Sequence, residues 1–222
     1  MFTYLKQIFS FFFVSTLLIG CQPIMPTVTP ITIETSTPSD PLVSTTGRIA
    51  FNSSRDGHSE VYTMNANGSE QTRLTAFKEG DSVFAAWSPD GRKIAFVSDQ
   101  DGNREIYVMN ADGSGITNLT RSPASDQSPA WSPDGKKIIF ASVQNGRSDI
   151  FVMNANGSGQ TNLTNTPTAD DITPKWSLDG LQIAFASNQD GNLEIYVMNA
   201  DGSGPTNLTR DPAEDTDPAW QP

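Results

Sequence analysis

A single cysteine, Cys21, and a single histidine, His58, serve this whole chain of 222 residues. One thiol excludes an internal disulfide framework and a thiolate metal site. One imidazole, set in a polar turn, removes most hydrolase constellations. No Gly-x-Ser-x-Gly elbow is present either, since Gly113-Ser114-Gly115 and its copies are turn residues. Basic residues are scarce, 14 against 25 acidic, for a net charge of −11. Nucleic acid needs a basic patch for its phosphates, so no nucleic-acid partner is expected. Sustained helical periodicity is missing beyond the first twenty residues. What is left is one modest all-β domain with appendages.

The appendages come first. Lys6 precedes a run from Ile8 to Ile19 that is mostly apolar, then Gly20 and Cys21. A short basic start, an apolar stretch and a small residue before the cut read as an export signal over residues 1–20, too short for a comfortable membrane span. Leu18-Ile19-Gly20-Cys21 resembles the bacterial lipobox. That resemblance implies a diacylglycerol thioether on Cys21 and an acylated amino group after cleavage. Two or three chains at about 0.8 kcal/mol per buried methylene anchor stably where one does not. Gln22 follows, without an aspartate retention signal, so the outer membrane is the expected home in a two-membrane cell. In a one-membrane cell it is the outer face of the plasma membrane. Residues 22–46 turn to Thr, Ser and Pro, with prolines at 23, 26, 30, 38 and 41. Such a segment buries too little apolar area to offset its chain entropy and reads as a solvated tether.

From residue 47 the sequence repeats. Trp87-Ser88-Pro89-Asp90-Gly91 returns as Trp131-Ser132-Pro133-Asp134-Gly135 and as Trp176-Ser177-Leu178-Asp179-Gly180, and Trp220 opens a fourth copy. The tryptophans lie 44, 45 and 44 residues apart, a spacing that signals a repeat architecture. Each unit reads as four short strands. The first ends at the Trp, and Ser-Pro-Asp-Gly supplies the turn chemistry after it. Strands two and three are apolar on both faces, as Ile138-Ile139-Phe140 and Ile150-Phe151-Val152 show, which suits a sheet sandwiched between neighbours. Strand four is short and polar, like Thr161-Asn162-Leu163-Thr164, as an unprotected edge should be.

Four-stranded units of this length are propeller blades. The domain over residues 47–222 begins at strand two, Ile49-Ala50-Phe51, and reaches strand one again at Trp220. A β-propeller of four blades is therefore expected, closed by the C-terminal strand completing the first blade, as a monomer. Two chains in an eight-bladed ring, or an open arc, are the alternatives. Trp-Ser-Pro-Asp-Gly-x-x-Ile-Ala-Phe followed by Ile-Tyr-Val-Met-Asn-Ala-Asp-Gly and Leu-Thr resembles the WD-like propeller repeats of the TolB protein family. The resemblance implies a propeller at the cell envelope. This chain lacks that family's further N-terminal domain and its full number of blades, and looks like a lipoprotein built from the repeats.

Asp81, Asp126, Asp171 and Asp215 each precede a repeat Trp by five or six residues. At the entrance to an innermost strand, four carboxylates would meet at one mouth of the channel and hold a cation such as Ca2+ or a basic group. Alternatively, each caps its own loop. Asp99-Gln100-Asp101-Gly102-Asn103 and Asn188-Gln189-Asp190-Gly191-Asn192 lack EF-hand spacing and read as hairpin turns. No catalytic residue, cofactor or metal is assigned. The expected function is a non-enzymatic, lipid-anchored module that binds an envelope protein or peptide, with small-ligand binding in the acidic mouth as the alternative.

Overall fold

Turn residues divide the chain into hairpins, and in the computed structural model, which describes residues 47–221, those hairpins form four antiparallel sheets. The export signal, Cys21 and the tether lie outside the described residues. The first sheet holds β1 (Arg48–Ser53), β2 (Glu60–Asn65) and β3 (Thr72–Arg73). The second holds β4 (Ser82–Trp87), β5 (Lys93–Ser98), β6 (Glu105–Asn110) and β7 (Thr117–Asn118). The third comprises β8 (Ser125–Trp131), β9 (Lys137–Gln144), β10 (Arg147–Asn154) and β11 (Thr161–Asn162). The fourth comprises β12 (Asp171–Trp176), β13 (Gln182–Ser187), β14 (Glu194–Asn199) and β15 (Thr206–Asn207). Every sheet is a meander in chain order. The expected all-β class and the four-strand unit hold for the last three sheets.

The Ser-Pro-Asp-Gly turn closes as its residues dictate. Ser88 Oγ donates to Asp90 Oδ1 at 2.6 Å and accepts from Lys93 N at 2.9 Å, while Gly91 N reaches Ser88 O at 2.9 Å. The Ser88 hydroxyl, with Arg92 N, holds the Asp90 carboxyl below its usual range, and Asp134 and Asp179 are held down the same way. The β9–β10 hairpin turns on Asn145 and Gly146, at φ of 53° and 80°. Two successive positive φ values are what a tight turn matched to strand twist requires.

Packing runs from sheet to sheet in sequence order. Val61 meets Ile94, Phe96 and Tyr107 between the first two sheets. Val97 and Ile106 meet Ile138 and Phe140 between the second and third, and Ile139 and Ile150 meet Trp176 and Phe185 between the third and fourth. In the second sheet, which has a neighbour on each side, β5 and β6 are buried on both faces as a consequence.

The ends depart from expectation. The first sheet keeps three described strands, and residues 215–220 form no strand with β1. Instead, Asp215 N bonds Leu193 O at 2.7 Å, as Asp126 N bonds Arg104 O at 2.8 Å. Trp220 Nε1 bonds Lys175 O at 3.2 Å, as Trp131 Nε1 bonds Ala86 O at 3.1 Å. The segment thus lies against the fourth sheet in the place of a following inner strand. No extended contact joins the described strands of the first and fourth sheets. Among the described residues, no strand pairing joins residues 215–220 to β1, so the expected clasp is not seen.

Candidate functional site

The inner strands place the acidic residues. Asp126 pairs with Ser142 and Asp171 with Ser187, and the matching pair in the second sheet is Ser82 with Ser98. Ser82, not Asp81, is therefore the counterpart of Asp126 and Asp171. Asp81 sits one residue earlier, in the place of Asp170. Both accept a backbone bond from the neighbouring sheet, from Ser59 N at 2.7 Å and from Ser148 N at the start of β10 at 3.1 Å. Asp81 is a loop clamp on the surface.

The others differ among themselves. Asp171 is buried, with Oδ2 accepting from Thr166 Oγ1 at 2.6 Å and Oδ1 unpartnered. Asp215 is half-buried. Asp126 is buried with neither carboxylate oxygen in hydrogen-bond geometry. Burial pushes its carboxyl up to about 6; the nearby Ser142 and Thr120 hydroxyls oppose this and the Glu105 charge adds to it. Among the described residues, no three His, Cys, Asp or Glu side chains are grouped to hold a metal ion.

An unpaired carboxyl of this kind has a pH signature. An unfolded aspartate titrates near 3.9, so between that value and about 6 the folded state keeps a proton that the unfolded chain loses. The group's contribution is fully present below about pH 4 and is lost as pH rises through about 6. Asp126→Ser, the residue that the second sheet carries at this place, should raise the melting temperature by about 5 °C near pH 7.5, from about 2 kcal/mol. Near pH 4 the variant should match its parent. Equal shifts at both pH values in thermal melts would remove Asp126 as the cause.

Behind these acids lies a second tier that the sequence reading missed. Glu60, Glu105 and Glu194 open β2, β6 and β14, Asp149 holds the same repeat position in β10, and each meets the Thr of the following Leu-Thr pair. That Thr hydroxyl accepts in turn from the strand backbone, as Thr75 from Val61 N at 2.9 Å and Thr120 from Ile106 N at 3.0 Å. Glu105 also takes Ser122 N at 2.9 Å, and Arg73 approaches Glu60 at 2.6 Å. An acid two positions before the aromatic in every repeat was the available signal. These carboxylates are spent on their own loops. The Asp-Gly loops behave as the hairpin turns expected of them, with Gly102 N on Asp99 O at 2.9 Å and Asp101 accepting the Tyr107 hydroxyl.

The opposite end of the inner strands is apolar. Trp87, Trp131, Trp176 and Trp220 line one cavity of about 490 Å³, with Pro133 and Leu178 at its wall. Among the described residues no carboxylate lines it, and Lys175 is its one charged wall residue. The bonds from Trp131 and Trp220 to the backbone of the preceding inner strand fix two of the rings. A wall of rigid aromatic and proline faces offers stacking area at little entropic cost.

Comparison with known proteins fits this geometry. Residues 77–171 match the family model described as the TolB beta propeller domain. A protein assigned as TolB from Agrobacterium tumefaciens superposes with a TM-score of 0.66 at 24% identity, over 72% of this chain and 60% of that one. TolB from Acinetobacter baumannii gives 0.64 at 22% identity, over 76% and 42%. A puromycin-hydrolyzing peptidase from Mycobacterium tuberculosis gives 0.61 at 16% identity, over 75% and 30%. At these identities the likeness is one of fold, and this chain spans less than two thirds of each of these proteins. No curated protein sequence matches it. The stretch that matches the TolB beta propeller domain holds the second and third sheets, and the fold of the four sheets is similar to that of these propellers.

Proposed function

We propose that this chain is a non-catalytic protein-interaction module of the bacterial cell envelope. Residues 1–20 export it, lipid on Cys21 anchors it, and residues 22–46 let it reach a partner. The observation that carries the reading is the tryptophan-lined mouth. Its apolar, acid-free wall contrasts with the chain's net charge of −11 and suits an extended, proline-containing protein segment stacked on the indoles. An exposed His58, the only imidazole, favours binding over hydrolysis. The alternative, a cation or small ligand at the acidic end, draws on the unpartnered Asp126. It loses force because Asp81 and Asp171 spend oxygens on neighbouring loops.

Leu178 is 59% exposed at the mouth, so Leu178→Glu should leave melting unchanged. Captures from envelope extract, read by mass spectrometry with and without chelator, should then lose their dominant protein at least tenfold in the variant and be indifferent to calcium. Capture that survives the variant, or that needs calcium, moves the site to the acidic end. Cys21→Ala should shift the protein wholly from membrane to soluble fractions on cell fractionation; retention would end the anchor reading.

A further inference from the structure

Each end of the arc presents what the other lacks. In the second, third and fourth sheets an inner strand covers strand two, and Ile94, Ile138 and Ile183 beneath it are fully buried. In the first sheet that cover is missing among the described residues, and Ile49, at the same repeat position, is 42% exposed. At the other end, residues 215–220 already have the shape of an inner strand. Phe84, Ser128 and Thr173 form a bulge at φ of 56°, 56° and 51°, and Asp217, at the same position, stands at 54°. A left-handed aspartate held with no ladder beside it is a strand awaiting its partner.

The sheet faces repeat the pattern. Leu119 is 7% exposed because the turn of the next sheet covers it, with Gly157 so close that an added Cβ would lie 2.8 Å from Leu119 O. Leu208, its counterpart on the fourth sheet, is 58% exposed. Gly68, the counterpart of Gly157 on the first sheet, has nothing within 4 Å of where a Cβ would stand.

We infer that a second copy of this chain completes both ends. Residues 215–220 of one copy pair with β1 of the other, Leu208 packs under the other's Gly68 turn, and the reciprocal junction closes a two-fold ring of eight four-stranded blades. By the register of the complete sheets, where Ala86 pairs with Ala95 and Trp87 with Ile94, Ala219 would face Ala50 and Trp220 would face Ile49. Eight blades lie within the range propellers adopt, and two equivalent head-to-tail junctions close without leaving an edge for further growth.

Thiol trapping in detergent decides it, with full chains carrying Cys21→Ala so that the introduced cysteine is the only thiol. Ala50→Cys and Ala219→Cys chains, each confirmed to melt like the parent, are mixed and treated with a short thiol crosslinker. The expected product joins two chains of 24.0 kDa, forms in the mixture and at least tenfold less in either variant alone, and accompanies a two-chain sedimentation mass for the parent. A chain carrying both substitutions that links only within itself, with no product in the mixture, would overturn the proposal in favour of the four-blade ring. No crosslink in any sample, or a sedimentation mass of one chain or of more than two, would overturn it as well.

Discussion

Phe140→Ala should cost about 4 kcal/mol of stability, the largest loss expected from a single side chain here. Phe140 is buried between the second and third sheets beside Val97 and Ile106, and its ring stands 5.8 Å from that of Phe151. Removing it leaves a cavity walled by two sheets that are held from their far sides and cannot collapse into it. Phe51 occupies the same repeat position in the first sheet but is only half-buried. Phe51→Ala should cost about 2 kcal/mol. Denaturant melts of the two variants, at concentrations low enough to keep the chains apart, give the comparison. Equal losses would mean that Phe51 is covered in solution by something other than a second copy.

Gly157→Ala is expected to be nearly as damaging, at about 3 kcal/mol, for a different reason. Gly157 has a φ of 87°, which L side chains adopt at a cost, and the new Cβ would stand 2.8 Å from Leu119 O. That atom belongs to the neighbouring backbone and has no rotamer to give way, so the two sheets must move apart. Gly68→Ala is the control. Its φ of 82° imposes similar strain, yet nothing lies within 4 Å, so the loss should be about 1 kcal/mol, backbone strain alone. A Gly157 variant no worse than the Gly68 variant would show that the sheets do not pack as described.

Much of the fold was legible because the repeat states each element several times. The buried strands Ile94-Ala95-Phe96 and Ile183-Ala184-Phe185, the Ser-Pro-Asp-Gly turns and the Asn145-Gly146 hairpin all sit where residue chemistry places them. The candidate site was less legible. Asp81 looked like a member of the Asp126 set although it stands six residues before its Trp where the others stand five, a difference that takes on meaning only with strand register. The register appears only when Ser82 pairs with Ser98. The Glu105 tier was overlooked because an acid inside an apolar strand reads as a solvated face until its partner, Thr120, is seen. The tryptophan mouth was written in the repeat itself, but which way four rings point depends on how four sheets are stacked. Closure was not legible for the same reason, since matched ends reveal complementarity and not the angle between neighbouring sheets.

Among the described residues, the extended contacts between sheets join sequence neighbours, and this bears on how the molecule comes apart. A globule with one core unfolds all at once, whereas a row of units coupled to their neighbours loses them from the termini inward. Amide exchange should therefore be slowest in β5, β6, β9 and β10, whose sheets have a neighbour on both sides, and faster in β1, β2 and β14 at the exposed ends. Joining two arcs into a ring would abolish that gradient. The cooperativity of the protein would then be a property of its concentration.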